Sequence, residues 1–121
     1  MVKVFESKVL EIGSEAQNMI ENTNMLILFG EGAPADLSEF CFTINNKELT
    51  GTIIKNGKVI IGEEKYTITA VGKVVEKNLS SLGHITLSFD GSEEASLPGT
   101  LHVKGVNSPH LEIGSIIQID C

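Results

Sequence analysis

Two of the three histidines lie in stretches where apolar and polar residues alternate. His84 directly precedes the alternating run at residues 85–89, and His102 lies in the middle of residues 100–104. This alternation predicts half-buried strands that carry both histidines on their polar faces. If the two strands pair antiparallel and share one apolar face, the register places the imidazoles directly or diagonally opposite each other. We therefore predict that His84 and His102 meet on one β-hairpin.

A pair of neighbouring imidazoles is suited to accepting a phosphoryl group. A neutral imidazole nitrogen is a nucleophile near neutral pH, and the phosphohistidine that it forms carries negative charge that hydrogen-bond donors must stabilise. The second imidazole could donate one such bond, and backbone N–H groups beside Gly83 and Gly99 could donate others. The pattern favours one histidine as the nucleophile and the other as the assisting donor.

Two other interpretations of the same residues stay open. Both histidines could simply be solvated on the polar face of a sheet. They could also bind zinc together with Asp90 or a glutamate, but no ligand spacing in the sequence supports this, and we expect no metal and no cofactor. The third histidine, His110, follows a proline in a loop and is expected on the surface.

The rest of the chain reads mainly as short strands joined by turns. Asn56-Gly57 predicts a tight hairpin turn, Ser14 is a candidate cap for one short helix, and Pro34 suits the start of a helical turn. We predict an all-β fold, a small closed or nearly closed barrel of short, mostly antiparallel strands with one or two short helices. The chain length favours a single domain over residues 1–121. The strands are expected at residues 2–12, 25–29, 40–44, 51–55, 58–62, 66–71 (prolonged through Val74 and Val75), 84–89, 100–103 and 115–119, with the helix at 14–22 and a polar connection at 77–82.

Composition excludes several classes of function. The chain has 121 residues and a net charge of −7, with 16 acidic residues against nine basic ones, all of them lysines. A nucleic-acid-binding protein needs Lys and Arg to neutralise phosphates, so this balance argues against nucleic acid and against anionic membranes. The charge instead suits a basic protein partner. Only 5% of the residues are aromatic, which predicts an aliphatic core.

Two further features indicate a cytoplasmic protein. Cys41 and Cys121 are the only cysteines, too few for a small secreted domain held by disulfides. Charges are scattered through the first residues, so no signal peptide is visible, and the longest apolar run, residues 25–29, is too short to cross a membrane. We expect a cytoplasmic location and no direct membrane insertion.

Three motifs resemble a known family. "FGEGAPADLSEFCF" (residues 29–42), "YTITAVGKVVEKNLSSLGHITLSFDG" (66–91) and "LPGTLHV" (97–103) are similar to the glucitol/sorbitol-specific IIA component of the phosphoenolpyruvate-dependent sugar phosphotransferase system. The resemblance implies a cytoplasmic all-β barrel. It also implies a phosphocarrier that accepts a phosphoryl group on a histidine from the phosphocarrier protein HPr and passes it to the IIB component of a IIB/IIC sugar transporter during glucitol/sorbitol uptake.

One departure from the family pattern bears on the site. Members of that family carry histidines directly after the Cys-Phe pair, whereas residues 43–47 of this chain contain none. Asn46 could donate a hydrogen bond there but cannot hold a phosphoryl group. His84 and His102 do lie inside matching motifs, so the resemblance and the alternation select the same pair. We expect His84 as the acceptor and His102 as the assisting donor, with the reverse order as the alternative.

The first motif could supply a docking surface around the acceptor. Leu37 and Phe40 could form an apolar patch, but for Phe40 we favour packing in the core, because Phe is usually buried. Glu31, Asp36 and Glu39 could attract a basic phosphocarrier. A second interpretation of the whole chain is a binding or regulatory module that keeps the barrel but is not phosphorylated, and the missing histidines after Phe42 favour it.

Overall fold

The computed structural model describes residues 1–121 and contains one barrel that closes without a free sheet edge. Eight strands form the barrel and three short helices lie against it or at its loops. The prediction of a small all-β barrel is therefore confirmed, with one more helix than expected. The strands are β1 (Lys3–Ile12), β2 (Met25–Gly30), β3 (Cys41–Ile44), β4 (Lys58–Ile61), β5 (Glu64–Val71), β6 (Ile85–Ser88), β7 (Thr100–Lys104) and β8 (Ile116–Asp120), and the helices are α1 (Ala16–Thr23), α2 (Ala35–Ser38) and α3 (Val75–Leu82).

The order of the strands around the barrel is β1-β3-β2-β6-β7-β5-β4-β8. Two neighbouring pairs, β2 with β3 and β6 with β7, are parallel, and the remaining pairs are antiparallel. The sheet is therefore mostly antiparallel, as predicted. Closure leaves no unpaired strand edge on which another chain could add a strand.

The barrel interior is filled mainly by aliphatic side chains, together with the aromatic rings of Phe5, Phe42 and Tyr66. Inward-facing residues alternate with outward-facing ones along each strand, and those that point inward are almost completely shielded from water. The predicted aliphatic core is confirmed, since its members include Val9, Leu26, Ile68, Leu101 and Val103. No helix of the chain is long and apolar enough to cross a membrane.

The two halves of the chain repeat one structural unit. The unit β1-α1-β2-β3 has the same strand order and directions as β5-α3-β6-β7. Matching backbone hydrogen bonds join the Gly13 N–H to the Cys41 carbonyl and the Gly72 N–H to the Thr100 carbonyl. The two donors and the two acceptors are each 59 positions apart (72−13 and 100−41), so one register relates the halves.

The two longer helices end in the same way and deliver the chain to equivalent strands. Asn24 ends α1 and Gly83 ends α3, both with a left-handed backbone at φ values of 62° and 69°. Each cap N–H bonds to carbonyls of the last helical turn, which satisfies groups that a helix end leaves unpaired. The turn at Gly83 therefore fixes where His84 enters the barrel wall.

Several local predictions were wrong. Helix α3 replaces the predicted strand extension and polar connection, because Val75 and Leu79 lie one turn apart and are buried together against the barrel. Helix α1 begins at Ala16, and Ser14 does not cap it.

The predicted hairpin at Asn56-Gly57 does not form. Residues 51–55 are not a strand, and the N–H of Ile53 bonds instead to the side chain of Glu76, while Ile53 itself is buried in the core. Strand β4 pairs with β5 around a turn at Gly62, which has a positive φ of 61°. Glycine adopts this backbone without steric cost, so the hairpin lies one strand later than predicted.

Candidate functional site

The two histidines selected from the sequence are not neighbours. Strands β6 and β7 pair in parallel, with Ser88 opposite His102 and Thr86 opposite Thr100. His84 therefore lies four residues before the partner of His102, which corresponds to about 13 Å along a strand. The predicted hairpin is wrong because the connection at residues 89–99 runs back along the barrel and starts β7 beside the beginning of β6.

His102 lies on the outer side of the barrel but is covered by that connection. Its side chain is only 1% exposed. Nδ1 lies 2.8 Å from Oδ1 of Asp90, and Nε2 lies 3.2 Å from the backbone nitrogen and 3.1 Å from Oγ of Ser96. Both ring nitrogens thus bond to residues of that connection, and the ring does not meet His84 on a hairpin as predicted.

The hydrogen bonds of His102 determine its tautomer. The backbone N–H of Ser96 can only donate, so Nε2 must be the acceptor and Nδ1 must carry the proton that it donates to Asp90. Partial burial of Asp90 acts to raise its pKa, but hydrogen bonds from the Ser92 N–H, His102 and Ser88 outweigh burial and hold the pKa below its usual value. The Asp90 carboxylate is therefore a stable acceptor for the imidazole.

His84 has one occupied and one free nitrogen. Its Nδ1 lies 3.2 Å from the carbonyl oxygen of Leu28, which can only accept, so Nδ1 carries the proton in the neutral ring. Its ring packs on Phe29, with centroids 4.7 Å apart and an angle of 33° between the planes. Nε2 forms no hydrogen bond in the protein, and no buried side-chain nitrogen lacks a partner, so Nε2 is reached by solvent. This unprotonated nitrogen is positioned as a nucleophile.

The imidazole of His84 lines an apolar cavity of about 480 Å³ on the outer face of the barrel. We call it the His84 groove. Leu37 is 44% exposed there and Phe40 is half-buried. The expected core position of Phe40 is therefore wrong, because its side chain lines this groove. The groove is lined by Met19, Ile27, Leu37, Phe40, Cys41, His84 and Thr86.

Two polar side chains of the groove differ in their availability. The thiol of Cys41 is buried, donates to the Leu37 carbonyl at 3.1 Å, and has its pKa raised by burial, so it is a poor nucleophile. The hydroxyl of Thr86 forms no hydrogen bond in the protein and, because no buried oxygen lacks a partner, it is open to the groove. Thr86 lies two residues after His84 on the same outward side, about 7 Å away. Sequence alternation places Thr86 there but gives no sign of its free hydroxyl.

The segment that lacks the family histidines lies beside the groove. Thr43 is the strand partner of Phe29, and Phe29 stacks on His84. A side chain at position 43 thus lies two strands, or about 10 Å, from His84. The side chain of Asn46 holds the backbone of Glu6 and Glu48, so its role is structural.

Three acidic residues lie in the segment between β2 and β3. Glu31, Asp36 and Glu39 are all exposed in the loop that carries α2, as the sequence predicted.

The third histidine, His110, is 72% exposed and lies 3.9 Å from Glu112, which agrees with its predicted surface position. No group of three or more His, Cys, Asp or Glu side chains could hold a metal ion.

Comparison with known proteins identifies the family. Residues 4–118 match the family described as "PTS system glucitol/sorbitol-specific IIA component". Proteins named "PTS system glucitol/sorbitol-specific EIIA component" from Shigella flexneri and Escherichia coli (strain K12) are each 41% identical over 120 residues, covering 99% of this chain and 97% of the relative. A crystal structure of a PTS system IIA component from Enterococcus faecalis V583 superposes with a TM-score of 0.84 at 28% identity, covering 97% of this chain and 100% of that one. The chain therefore belongs to the glucitol/sorbitol-specific IIA components of the sugar phosphotransferase system, which are phosphocarriers in sugar uptake.

Proposed function

We propose that this chain accepts a phosphoryl group from HPr on Nε2 of His84 and passes it to the IIB component during glucitol/sorbitol uptake. The observation that carries the proposal is the state of the imidazole, whose Nδ1 is bound to the Leu28 carbonyl while Nε2 is free at an apolar groove. The proposal places the protein in the cytoplasm and treats residues 1–121 as one functional domain.

The chemistry is a displacement at phosphorus between two imidazoles. Nε2 of His84 forms a bond to phosphorus as the bond from phosphorus to the HPr imidazole breaks, and the HPr ring leaves as a neutral base. The Nδ1–H of His84 stays bonded to the Leu28 carbonyl, which stabilises the positive charge that the ring gains. Transfer to IIB reverses these roles, and the step needs no metal or small cofactor.

Docking of the donor uses the His84 groove. A histidine on another protein must reach Nε2, and the exposed Leu37 and half-buried Phe40 offer apolar surface beside it. The exposed acidic residues Glu31, Asp36 and Glu39 would speed the arrival of a basic phosphocarrier. We expect the association rate to fall as ionic strength rises.

The proposal is tested by reconstituting the phosphoryl relay. Purified protein is incubated with enzyme I, HPr and labelled phosphoenolpyruvate, and the modified residue is mapped by mass spectrometry. We expect one acid-labile label on His84 that is absent from His84→Ala and retained in His110→Ala, a matched control with an exposed histidine. Label on another residue, or undiminished label on His84→Ala, would reject His84 as the acceptor.

A second candidate function is a binding or regulatory module that is never phosphorylated. The observation that favours it is the absence of histidine from residues 43–47, next to the groove. If enzyme I and HPr leave the wild-type chain unlabelled while a family member with those histidines is labelled in parallel, the binding module is the better description.

A further inference from the structure

We propose that Ser96, His102 and Asp90 form a second site, independent of His84, in which Ser96 is an activated nucleophile toward small activated esters and phosphonates. The three side chains lie in series, with Asp90 Oδ1 2.8 Å from His102 Nδ1 and His102 Nε2 3.1 Å from Ser96 Oγ. In serine hydrolases the nucleophilic serine is hydrogen-bonded to a base, and a third group orients that base. The three side chains here have the same arrangement.

The base is held in the protonation state that this chemistry needs. Asp90 accepts the proton on Nδ1, so Nε2 is unprotonated, and its one lone pair is shared by the Ser96 backbone N–H at 3.2 Å and the Ser96 hydroxyl at 3.1 Å. The ring is only 1% exposed, so water does not compete for either nitrogen. Transfer of the Ser96 hydroxyl proton to Nε2 gives an imidazolium whose Nδ1–H stays on Asp90, and it displaces the hydrogen bond from the Ser96 backbone N–H.

The nucleophile itself is accessible. Ser96 is exposed, although the imidazole beneath it is buried. The N–H of Leu97, the residue directly after the serine, forms no hydrogen bond in the protein. Hydrolases commonly use the N–H of the residue after the nucleophile to stabilise a developing oxyanion. The side chain of Leu97 is 63% exposed and offers apolar surface beside the hydroxyl for a short acyl or alkyl group.

The reaction balances with the groups present. The Ser96 Oγ attacks the ester carbonyl carbon as its proton moves to Nε2 of His102, and the carbonyl oxygen becomes an oxyanion near the Leu97 N–H. The carbon–oxygen bond to the alcohol then breaks, and the alcohol leaves with the proton from Nε2. Water attacks the acyl-serine, gives one proton to Nε2, and releases the carboxylic acid as Ser96 recovers its hydroxyl proton.

The test uses covalent labelling, because a merely structural hydrogen-bond network would not react. The full-length protein is incubated with a fluorophosphonate probe, which Ser96 would attack with loss of fluoride, and the adduct is mapped by intact-mass and peptide mass spectrometry. We expect one adduct on Ser96 of the wild type and none on Ser96→Ala. Burst release of p-nitrophenol from p-nitrophenyl acetate should follow the same pattern.

Two variants separate activation from folding. Asp90→Asn keeps a hydrogen-bonding side chain but removes the carboxylate that would stabilise the imidazolium, so its labelling rate should fall at least about tenfold. Ser108→Ala, at an exposed serine outside the series, should be labelled like the wild type, and so should His84→Ala. Thermal melts confirm that each variant is folded. An unlabelled wild type, equal label on Ser96→Ala, or an unchanged rate in Asp90→Asn would overturn the proposal, and none of these results bears on phosphorylation of His84.

Discussion

Phe29 and His84 face each other across β2 and the start of β6, with their ring centroids 4.7 Å apart. The stack and the hydrogen bond from Nδ1 to the Leu28 carbonyl fix the imidazole from two sides. The ring is therefore held in one orientation at the His84 groove, with Nε2 open to solvent. A nucleophile that is already oriented has less entropy to lose on the way to the transition state.

The first prediction follows from this stack. Phe29→Leu keeps an apolar side chain of similar size but removes the aromatic face, so His84 should become more mobile. We expect phosphorylation by HPr to slow several-fold, and the free energy of unfolding to fall by about 1 kcal/mol because Phe29 is buried. Phe89→Leu is the matched control, because Phe89 makes its aromatic contact with Tyr66, away from the groove. Equal rates in the two variants would show that the stack does not orient the acceptor.

The second prediction concerns the free hydroxyl in the groove. Thr86 lies two residues after His84 on the same side and has no protein partner, so it can donate to a phosphoryl oxygen on Nε2. Thr86→Val should slow phosphoryl transfer by about 10²-fold if this bond forms in the transition state. Thr86→Ser should restore most of the rate, because it restores the hydroxyl. Rapid-quench measurement of single transfers checks both, and equal rates in the two variants would exclude a role for the hydroxyl.

The two histidine-containing segments show which structural features the sequence can predict and which it cannot. Alternation correctly placed Leu87 and Leu101 in the core and His84 and His102 outside the barrel wall. It could not give the direction of pairing, because parallel and antiparallel strands with one buried face show the same period. It also could not reveal that a loop covers His102, since burial by a returning connection leaves no periodic signal.

The internal repeat was also missed at the level of sequence. The paired glycines Gly13 and Gly72 are the clearest trace of it, followed in each half by a short helix, an αL residue and a strand. Most other equivalent positions hold different residue types, so no short motif recurs at the spacing of 59. The relationship becomes plain from backbone hydrogen bonds that match at this spacing, such as those of Gly13 and Gly72 and those from Glu15 to Glu39 and from Val74 to Pro98.

The third prediction concerns stability at alkaline pH. Burial, together with the charge of Glu64, raises the pKa of Tyr66 to about 12, and its hydroxyl donates to the Asn107 carbonyl at 2.7 Å. Because the folded-state pKa lies above the unfolded value near 10, this contribution to stability is complete below about pH 10 and is lost as the pH rises toward 12.

Urea denaturation measures this effect. Tyr66→Phe removes the hydroxyl and should lower the free energy of unfolding by about 1 kcal/mol at pH 7, because one hydrogen bond is lost while the exposed Asn107 can bind water. The wild type should lose stability between pH 10 and pH 12 more steeply than Tyr66→Phe. Parallel loss in the two proteins would mean that Tyr66 does not determine the alkaline limit.

The last prediction tests the repeat through its two glycines. A Cβ at Gly13 would collide with the carbonyl oxygens of Ser38 and Glu39, and a Cβ at Gly72 would collide with those of Leu97 and Pro98. In each half the clashing atoms belong to the backbone, which cannot move to a new rotamer as a flexible side chain can. Gly13→Ala and Gly72→Ala should therefore each lower the free energy of unfolding by about 1–3 kcal/mol, the usual cost of overpacking.

Gly114→Ala supplies a comparison in which sterics and backbone strain are separated. That glycine has a positive φ of 95°, but a Cβ added to it would meet no atom within 4 Å, so its substitution tests strain alone. If the steric clash determines the loss of stability, Gly13→Ala and Gly72→Ala will lower the free energy of unfolding by similar amounts in urea denaturation. The two losses will add in the double variant, because the sites lie in different halves. A large loss at one glycine with none at the other would mean that the two halves do not share the same packing constraint.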